Sequence, residues 1–382
     1  MSYPVIKKFL FSVIAVILIW FSQSPVLAQE FIIPDERLEA QVVKVLEEKE
    51  IDVPGLSDSS QKQLYQKLEL VVTQGSLKDQ NIVIENGNLP MANVQRYGAG
   101  DEVVVTKTKD PDNKDLFYIT DKIRRGALLW LALIFVALTF AVGRLKGIAS
   151  LAGMGLSFLV IFMFILPKIS EGADPILISI LGSLLIIPIT FYLSHGWNRK
   201  TTIAIFGTII ALIITGVLAN IFVEAAKLTG FISEEANFLQ TIKQGTINIR
   251  GLFLAGIIIG TLGVLDDVTV SQAAIVQQLK EANSKLKPEE LYRRAMDIGK
   301  DHIASMVNTL ILVYAGASLP LLLLFINNPH PFSEVINYEM IASEIIRTLV
   351  GSIGLILAVP ITSIIAAASF SQDTDNFILE KG

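Results

Sequence analysis

Cysteine is absent from the 382-residue sequence. The chain therefore has no disulfide bond, no thiolate metal site and no cysteine nucleophile. Any exported part of it must be held together by a hydrophobic core alone.

Charged residues are also scarce, at 18% of the chain against about 25% in soluble domains, and no basic stripe suited to nucleic acid is present. Apolar residues make up 52%, and long apolar runs fill residues 126–370. A soluble helix needs one apolar stripe, whereas a helix in lipid must be apolar nearly all round. The sequence predicts an all-α polytopic helix bundle in a lipid bilayer, preceded by a small all-β domain.

The first 28 residues have the pattern of a secretory signal peptide. Lys7 and Lys8 precede the apolar run 9–21, and Val26-Leu27-Ala28 forms a small-residue cleavage site. The alternative is an uncleaved anchor helix. Under either interpretation, residues from Gln29 onward start outside the cytoplasm.

Residues 29–125 are predicted to form the extracytoplasmic β-rich domain. Short β-rich runs alternate with turn signals such as Glu85-Asn86-Gly87-Asn88, and the runs are 68–73, 81–86, 101–108 and 116–123. Residues 36–50 fit either a short helix or a first strand. The spacing suggests a small barrel of OB or SH3 type, without a catalytic constellation.

Seven apolar segments follow, each near the roughly 20 residues that cross about 30 Å of hydrocarbon. They are 126–143, 147–167, 175–194, 201–223, 251–275, 302–326 and 345–369. The connections that would then face the cytoplasm are richer in Lys and Arg than the outer ones, as the positive-inside rule requires. Lys122, Arg124 and Arg125 oppose this trend. The predicted topology ends with a short cytoplasmic tail, 371–382.

Two adjacent aspartates, Asp266 and Asp267, interrupt the fifth apolar segment. A helix that starts at Gly251 reaches Asp267 after about 24 Å, in the cytoplasmic third of the bilayer, and Asp267 shares a helix face with Gly263 and Ser271. Ionisable residues at that depth are costly and mark function. The alternative is a span that ends at Leu265, with both aspartates solvated.

The sixth segment has an unusually polar inner half. Its spacing places four polar residues on one helix face, predicted to converge with Asp267: Asp301, Ser305, Asn308 and Thr309. Carboxylate, amide and hydroxyl oxygens suit a hard cation, and buried aspartates suit a proton relay. No cofactor is evident, although a bound cation fits this face. His302 points away and is interpreted as an interfacial residue.

Small residues and prolines mark other positions in the spans. Gly256 and Gly260 form a small-xxx-small pair that lets a neighbouring helix approach, and Gly263 continues their face. Pro188 and Pro360 lie inside spans, where proline frees backbone carbonyls or kinks a helix.

Several long stretches resemble the YibE/F-like family of bacterial multi-pass membrane proteins. They are GRLKG (143–147), NRKT (198–201), RGLFLAGIIIGTLGVLDDVTVS (250–271), DIGKDHIASMVNTLILVYAGASLPLLLL (297–324) and VGSIGLILAVPIT (350–362). The family pattern has one aspartate, which aligns with Asp267, another at Asp301, and Thr-Asn-Thr at 307–309. Position 302 is usually apolar. The resemblance implies a bacterial plasma-membrane protein and little about its activity.

Polar faces at depth on adjacent helices favour a transporter or permease for an ion or small solute. Segments 147–223 and 251–369 each hold three spans of opposite orientation, as an inverted repeat would, though without convincing internal similarity. The alternative is a non-transporting receptor or assembly scaffold, whose exported domain binds a partner or which forms a homo-oligomer. No enzymatic activity is predicted, because GVLDD lacks the Gly-x-Gly-Asp pattern of intramembrane aspartyl hydrolases.

Overall fold

The computed structural model describes residues 36–52, 62–88, 94–110, 113–243, 245–326 and 331–379. The predicted signal peptide 1–28 lies outside the described residues. The chain divides into two compact units, Met1–Ala137 and Leu138–Gly382, and each is described by itself.

The first unit contains a five-stranded antiparallel sheet in the order β3-β2-β1-β4-β5. Its strands are β1 Glu36–Asp52, β2 Lys62–Gln74, β3 Asn81–Asn86, β4 Glu102–Lys109 and β5 Asp115–Lys122. The edge strands β3 and β5 also contact each other, so the sheet curls strongly. The predicted β domain is confirmed, and its OB or SH3 type stays a prediction.

Residues 36–50, whose sequence fits either a short helix or a first strand, belong to β1. Leu38, Ala40 and Val42 alternate with exposed or half-buried residues and are each 1% exposed, which is the period of a strand with one buried face. On the buried face of β2, Gln66 bridges to a loop through both of its amide atoms. Its Nε2 donates to Tyr97 O at 2.9 Å, and Tyr97 N donates to its Oε1 at 2.9 Å.

Asp101 ties β5 to the loop before β4. Its Oδ2 accepts hydrogen bonds from Lys122 Nζ at 2.7 Å and from Gly98 N at 2.9 Å. The bond from Lys122, followed by the bond from Gly98, lowers the pKa of the Asp101 carboxyl below its usual value. A group whose pKa is depressed by folding stabilises the fold above its unfolded pKa and loses that contribution as the pH falls.

Asp101→Asn is expected to lower the melting temperature of the sheet at pH 7, because the amide cannot pair with Lys122. The pair is partly exposed, so its contribution is under about 1 kcal/mol. Below about pH 3.9, the unfolded pKa of aspartate, the difference from wild type should shrink. Thermal unfolding followed by circular dichroism at pH 7 and pH 3 measures this. The exposed Asp79→Asn is the control, and an equal loss at both pH values would contradict the assignment.

The rest of the chain is helical. Its helices are α1 Arg125–Val160, α2 Leu166–Ser170, α3 Pro175–His195, α4 Arg199–Ala225, α5 Glu234–Ile242, α6 Ile249–Ala282, α7 Pro288–Ala317, α8 Leu319–Ile326, α9 Phe332–Val335 and α10 Glu339–Leu379. A π-helical turn, Ile161–Ile165, joins α1 to α2. The last of these helices, α10, continues into the C-terminal segment as far as Leu379.

Helix α1 consists of two parts that meet at a sharp bend. Arg144 has non-helical angles, φ 49° and ψ −134°, and a β-carbon added to Gly147 would overlap the carbonyl oxygen of Thr139. In a straight helix, residues this far apart are separated by about 12 Å. The chain therefore turns back at Arg144, which is the predicted boundary between the segments 126–143 and 147–167.

Among the described residues, five helical stretches are long and apolar enough to cross a membrane: Arg125–Ser170, Pro175–His195, Arg199–Ala225, Ile249–Ala282 and Glu339–Ser371. The first of them contains two predicted spans. The predicted span 302–326 is divided at Ser318 between α7, whose first half is polar, and the short apolar α8. The membrane-type helical bundle is thus confirmed, whereas the count of seven spans stays a prediction.

Small residues let α4 and α10 pack closely. A β-carbon at Gly207 of α4 would overlap Thr362 Oγ1 of α10, and one at Gly354 of α10 would overlap Thr215 Oγ1 of α4. The two contacts are reciprocal, so the helices cross antiparallel with a local two-fold relation. Both helices carry the same pattern, Gly-x-x-x-Ala-x-x-x-Thr, at 207–215 and 354–362. A short internal similarity therefore exists where none was expected.

The glycine face of α6 does not pack in this way. Gly256 and Gly263 are exposed, no described residue lies within 4 Å of a β-carbon added to either, and Gly260 approaches only Tyr314 Oη, at 4.0 Å. The close helix approach predicted at Gly256, Gly260 and Gly263 does not form within the described chain. Helices α4 and α10 pack instead against the opposite, apolar side of α6.

Candidate functional site

Asp266 lies at the midpoint of α6. This helix runs from Ile249 to Ala282, 34 residues, or about 51 Å, and it begins at Asn248, whose side chain accepts a hydrogen bond from Gly251 N at 2.9 Å. The helix continues well beyond Leu265. The helix therefore does not end at the aspartates, whereas the position at which its membrane span ends stays a prediction.

An open cavity of about 360 Å³ adjoins Asp266 and is lined mostly by residues of α1, α3 and α6. Four hydroxyl side chains share its lining with the aspartate: Ser150 and Ser157 of α1, and Thr190 and Ser194 of α3. Apolar residues such as Phe158, Ile186 and Leu262 form most of the remainder. The cavity, named here the Asp266 cavity, thus combines one carboxylate with neutral oxygen atoms in an apolar surround.

Close packing aligns the three helices around this cavity. A β-carbon on Gly153 of α1 would lie 3.6 Å from Ser194 Oγ of α3, in van der Waals contact. Helices α3 and α6 begin side by side, because a β-carbon on Gly251 would lie 3.1 Å from Pro175 Cδ. Thr190 is as far along α3 from Pro175 as Asp266 is along α6 from Gly251. They therefore reach the cavity at the same level.

One oxygen of the partly buried Asp266 carboxylate lacks a hydrogen-bond partner among the described residues. This oxygen, Oδ1, is buried and accepts no hydrogen bond from any of them. The hydroxyls of Ser157 and Thr190 donate to carbonyl oxygens of their own helices, at 3.0 Å to Gly153 O and 2.9 Å to Ile186 O. Because their protons are used in this way, their oxygen lone pairs remain as acceptors. The site therefore presents acceptors, which suits a cation or a donor group.

The other predicted site residues lie elsewhere. Asp267 is exposed and interacts electrostatically with His195 at the end of α3, while Ser271 is partly buried. Four residues share an exposed face of α7, as their spacing predicts, but none of them lines the Asp266 cavity: Asp301, Ser305, Asn308 and Thr309. The geometry therefore favours Asp266 as the acid of the site, although the sequence pattern favours Asp267.

Buried polar residues beyond the cavity join the helices. Thr208 Oγ1 of α4 and Thr269 Oγ1 of α6 are 2.7 Å apart, within hydrogen-bond distance. Gln272 Nε2 of α6 donates to Ala295 O of α7 at 3.0 Å and to Ser363 Oγ of α10 at 2.7 Å. Hydrogen bonds of this kind hold membrane helices together. These contacts are structural, and no group of three or more His, Asp or Glu among the described residues forms a metal site.

Sequence reasoning missed the four cavity hydroxyls. Ser150 and Ser157 are seven residues apart, and Thr190 and Ser194 are four apart, so each pair occupies one helix face. Serine and threonine are frequent at helix–helix contacts in membranes, and the spacing alone therefore does not single out these pairs. Only the placement of α1 and α3 against Asp266 identifies them.

Comparison with known proteins gives one family. The sequence model of the family described as YibE/F-like protein matches residues 131–372, which is more than half of the chain and contains the whole Asp266 cavity. No curated protein and no solved structure matches the chain.

Proposed function

The chain belongs to the YibE/F-like protein family, and we propose that it is a membrane transporter or permease for an ion or small solute, with the Asp266 cavity as its binding site. The observation that carries this proposal is the buried, unpartnered Oδ1 of Asp266 beside four hydroxyl oxygens. An ionised carboxylate without a partner is costly in a membrane domain and is a mark of function. A cargo that pairs with it offsets that cost.

The size and the lining of the cavity support the same proposal. Its volume of about 360 Å³ falls in the range of about 300–1,000 Å³ that is typical of small-ligand sites. Asp266 lies midway along a helix of the predicted membrane domain, with apolar residues around it. An ionisable residue in such a surround marks a functional site.

The reciprocal crossing of α4 and α10 is a second support. Inverted repeats, related by a two-fold axis in the membrane plane, are common in transporters and provide two alternative arrangements around one site. The contacts Gly207–Thr362 and Gly354–Thr215 relate two antiparallel helices in this way, and the local Gly-x-x-x-Ala-x-x-x-Thr similarity agrees with it. A scaffold has no need of such symmetry.

A flux screen tests the proposal. Purified protein is reconstituted into liposomes and assayed with protons, alkali ions, divalent cations and small organic solutes, with protein-free liposomes as the control. The expected result is faster movement of one class of cargo in the protein-containing vesicles. Background rates for every cargo would contradict the transport function.

The proposed topology places the sheet domain outside and the α6–α7 connection in the cytoplasm. The test replaces either Lys78 or Ser284, both exposed, by cysteine. Each variant then carries a single thiol, because the chain has no cysteine of its own. An impermeant thiol reagent should label Lys78→Cys in intact cells and label Ser284→Cys only after permeabilisation. The reverse pattern would overturn the proposed topology.

The second candidate is an assembly scaffold, and the polar face of α7 favours it. Asp301, Ser305, Asn308 and Thr309 are exposed along this face, although polar side chains in membranes normally face other protein. A second copy or a membrane partner that covers the face would satisfy them. The flux screen separates the two candidates, because a scaffold moves none of the solutes.

A further inference from the structure

Two more hydroxyl residues of α3 lie on the helix face of Thr190 and Ser194, outside the lining of the Asp266 cavity. Ser179 and Ser183 are both 0% exposed, and neither Oγ has a hydrogen-bond partner among the described residues. Together with Thr190 and Ser194, they recur at the spacing of one helix face. The four residues, Ser179, Ser183, Thr190 and Ser194, are called the α3 hydroxyl line.

Unbonded hydroxyls are unusual in this unit. Most of its buried hydroxyls donate to a carbonyl one turn earlier in their own helix, as Thr208, Thr215 and Ser352 do at 2.8–2.9 Å. A buried hydroxyl that makes no hydrogen bond costs about 1–3 kcal/mol. Two adjacent turns of α3 carry this cost, which indicates a group that pairs with them during function.

The α3 hydroxyl line leads away from the Asp266 cavity toward the N-terminal end of α3. From Ser194 to Ser179 it covers about 22 Å of helix rise, which is most of the roughly 30 Å of a bilayer core. Helix α6 begins beside α3, with Gly251 at Pro175, and contacts it. The α3 hydroxyl line therefore starts near the ends at which both helices begin and reaches the level of Asp266 at Thr190.

We infer that Ser179 and Ser183 form the outer part of a conduction path that ends at Asp266, and that the cargo is a monovalent cation, either a proton or an alkali ion. This inference rests on the proposed transport function and names its cargo class. A hydroxyl both donates and accepts hydrogen bonds. It can therefore relay a proton or coordinate a dehydrated ion without adding charge of its own.

The charge balance selects a monovalent cargo. The Asp266 cavity contributes one carboxylate, and its other polar side chains are neutral. A divalent cation would keep one uncompensated charge, which is expensive at low dielectric constant. An anion would meet a carboxylate and oxygen lone pairs. The single carboxylate of this lining therefore neutralises one positive charge.

The test combines flux with binding in the full-length protein. Ser179→Ala and Ser183→Ala, singly and together, remove oxygen atoms that have no hydrogen-bond partner among the described residues, so the melting temperature should not fall. Proton flux is followed with a pH-sensitive dye in the vesicles, and alkali-ion flux with radioactive sodium. Each single variant should transport about tenfold more slowly, the effect of losing one buried hydrogen-bond partner, and the double variant should be slower than either. Equilibrium binding of the cargo, measured in detergent, should stay at the wild-type level.

Ser352→Ala is the matched control, because Ser352 is buried in α10 but bonds to Thr348 O at 2.8 Å. It should leave flux unchanged. Wild-type rates in the double Ser179/Ser183 variant would overturn the path while leaving Asp266 as the site. Transport of organic solutes or divalent cations, with neither proton nor sodium flux, would overturn the cargo class. Wild-type transport by Asp266→Asn would instead refute the proposed function itself.

Discussion

Asp266→Asn is expected to abolish transport, with a loss of at least about 100-fold in rate, because the amide keeps the size of the side chain but removes the charge that pairs with the cargo. Flux in liposomes and equilibrium binding in detergent should fall together. The fold should survive. Oδ1 of Asp266 is buried without a partner, so replacing the carboxylate by a neutral group relieves a desolvation cost and should raise the melting temperature.

Asp267→Asn is the matched control for this prediction. It makes the same chemical change one residue along the same helix, but on a side chain that is exposed and does not line the Asp266 cavity. Its flux should stay within about twofold of wild type, the range of a surface substitution. If Asp267→Asn is inactive and Asp266→Asn is active, the family-aligned aspartate is the functional one and the cavity is not the site.

The fold could be read from the sequence wherever one local signal dominates. Period-two burial of Leu38, Ala40 and Val42 defines β1, and long apolar runs define α3, α4 and α6. The break at Ser318 was harder to foresee. Gly316 and Pro320 flank the break, but the local sequence does not show that the helix stops between α7 and α8. That depends on how the surrounding helices pack.

The acid proposed for the site, Asp266, could not be identified in this way. Helical spacing placed Asp267 on a polar face with Ser271, which made it the better candidate. Asp266 shares its side of α6 with Leu262 and Ile259, which are apolar, so nothing local marks it. Its role depends on α1 and α3, which bring Ser157 and Thr190 against it from distant parts of the chain.

Gly207→Ala in α4 is expected to destabilise the helical unit by about 1–3 kcal/mol, the usual cost of overpacking. The added methyl group would overlap Thr362 Oγ1 on α10, and both helices are buried there, so neither can move freely. Thermal unfolding of the purified protein in detergent measures the loss. Thr362→Ala should partly rescue Gly207→Ala, because it removes the overlapping oxygen, and a double-mutant cycle would show the coupling.

Gly256→Ala makes the same substitution in α6 and should have the opposite effect. No described residue lies within 4 Å of the added methyl group, and alanine is favoured over glycine within a helix by roughly 0.5–1 kcal/mol. Its melting temperature should therefore equal or exceed that of wild type. A large loss at Gly256 would show that this exposed face is covered by a second copy or a partner, as small residues on membrane helices often are. An unchanged melting temperature in Gly207→Ala would mean that α4 and α10 do not cross at Gly207, and the inverted relation between them would lose its support.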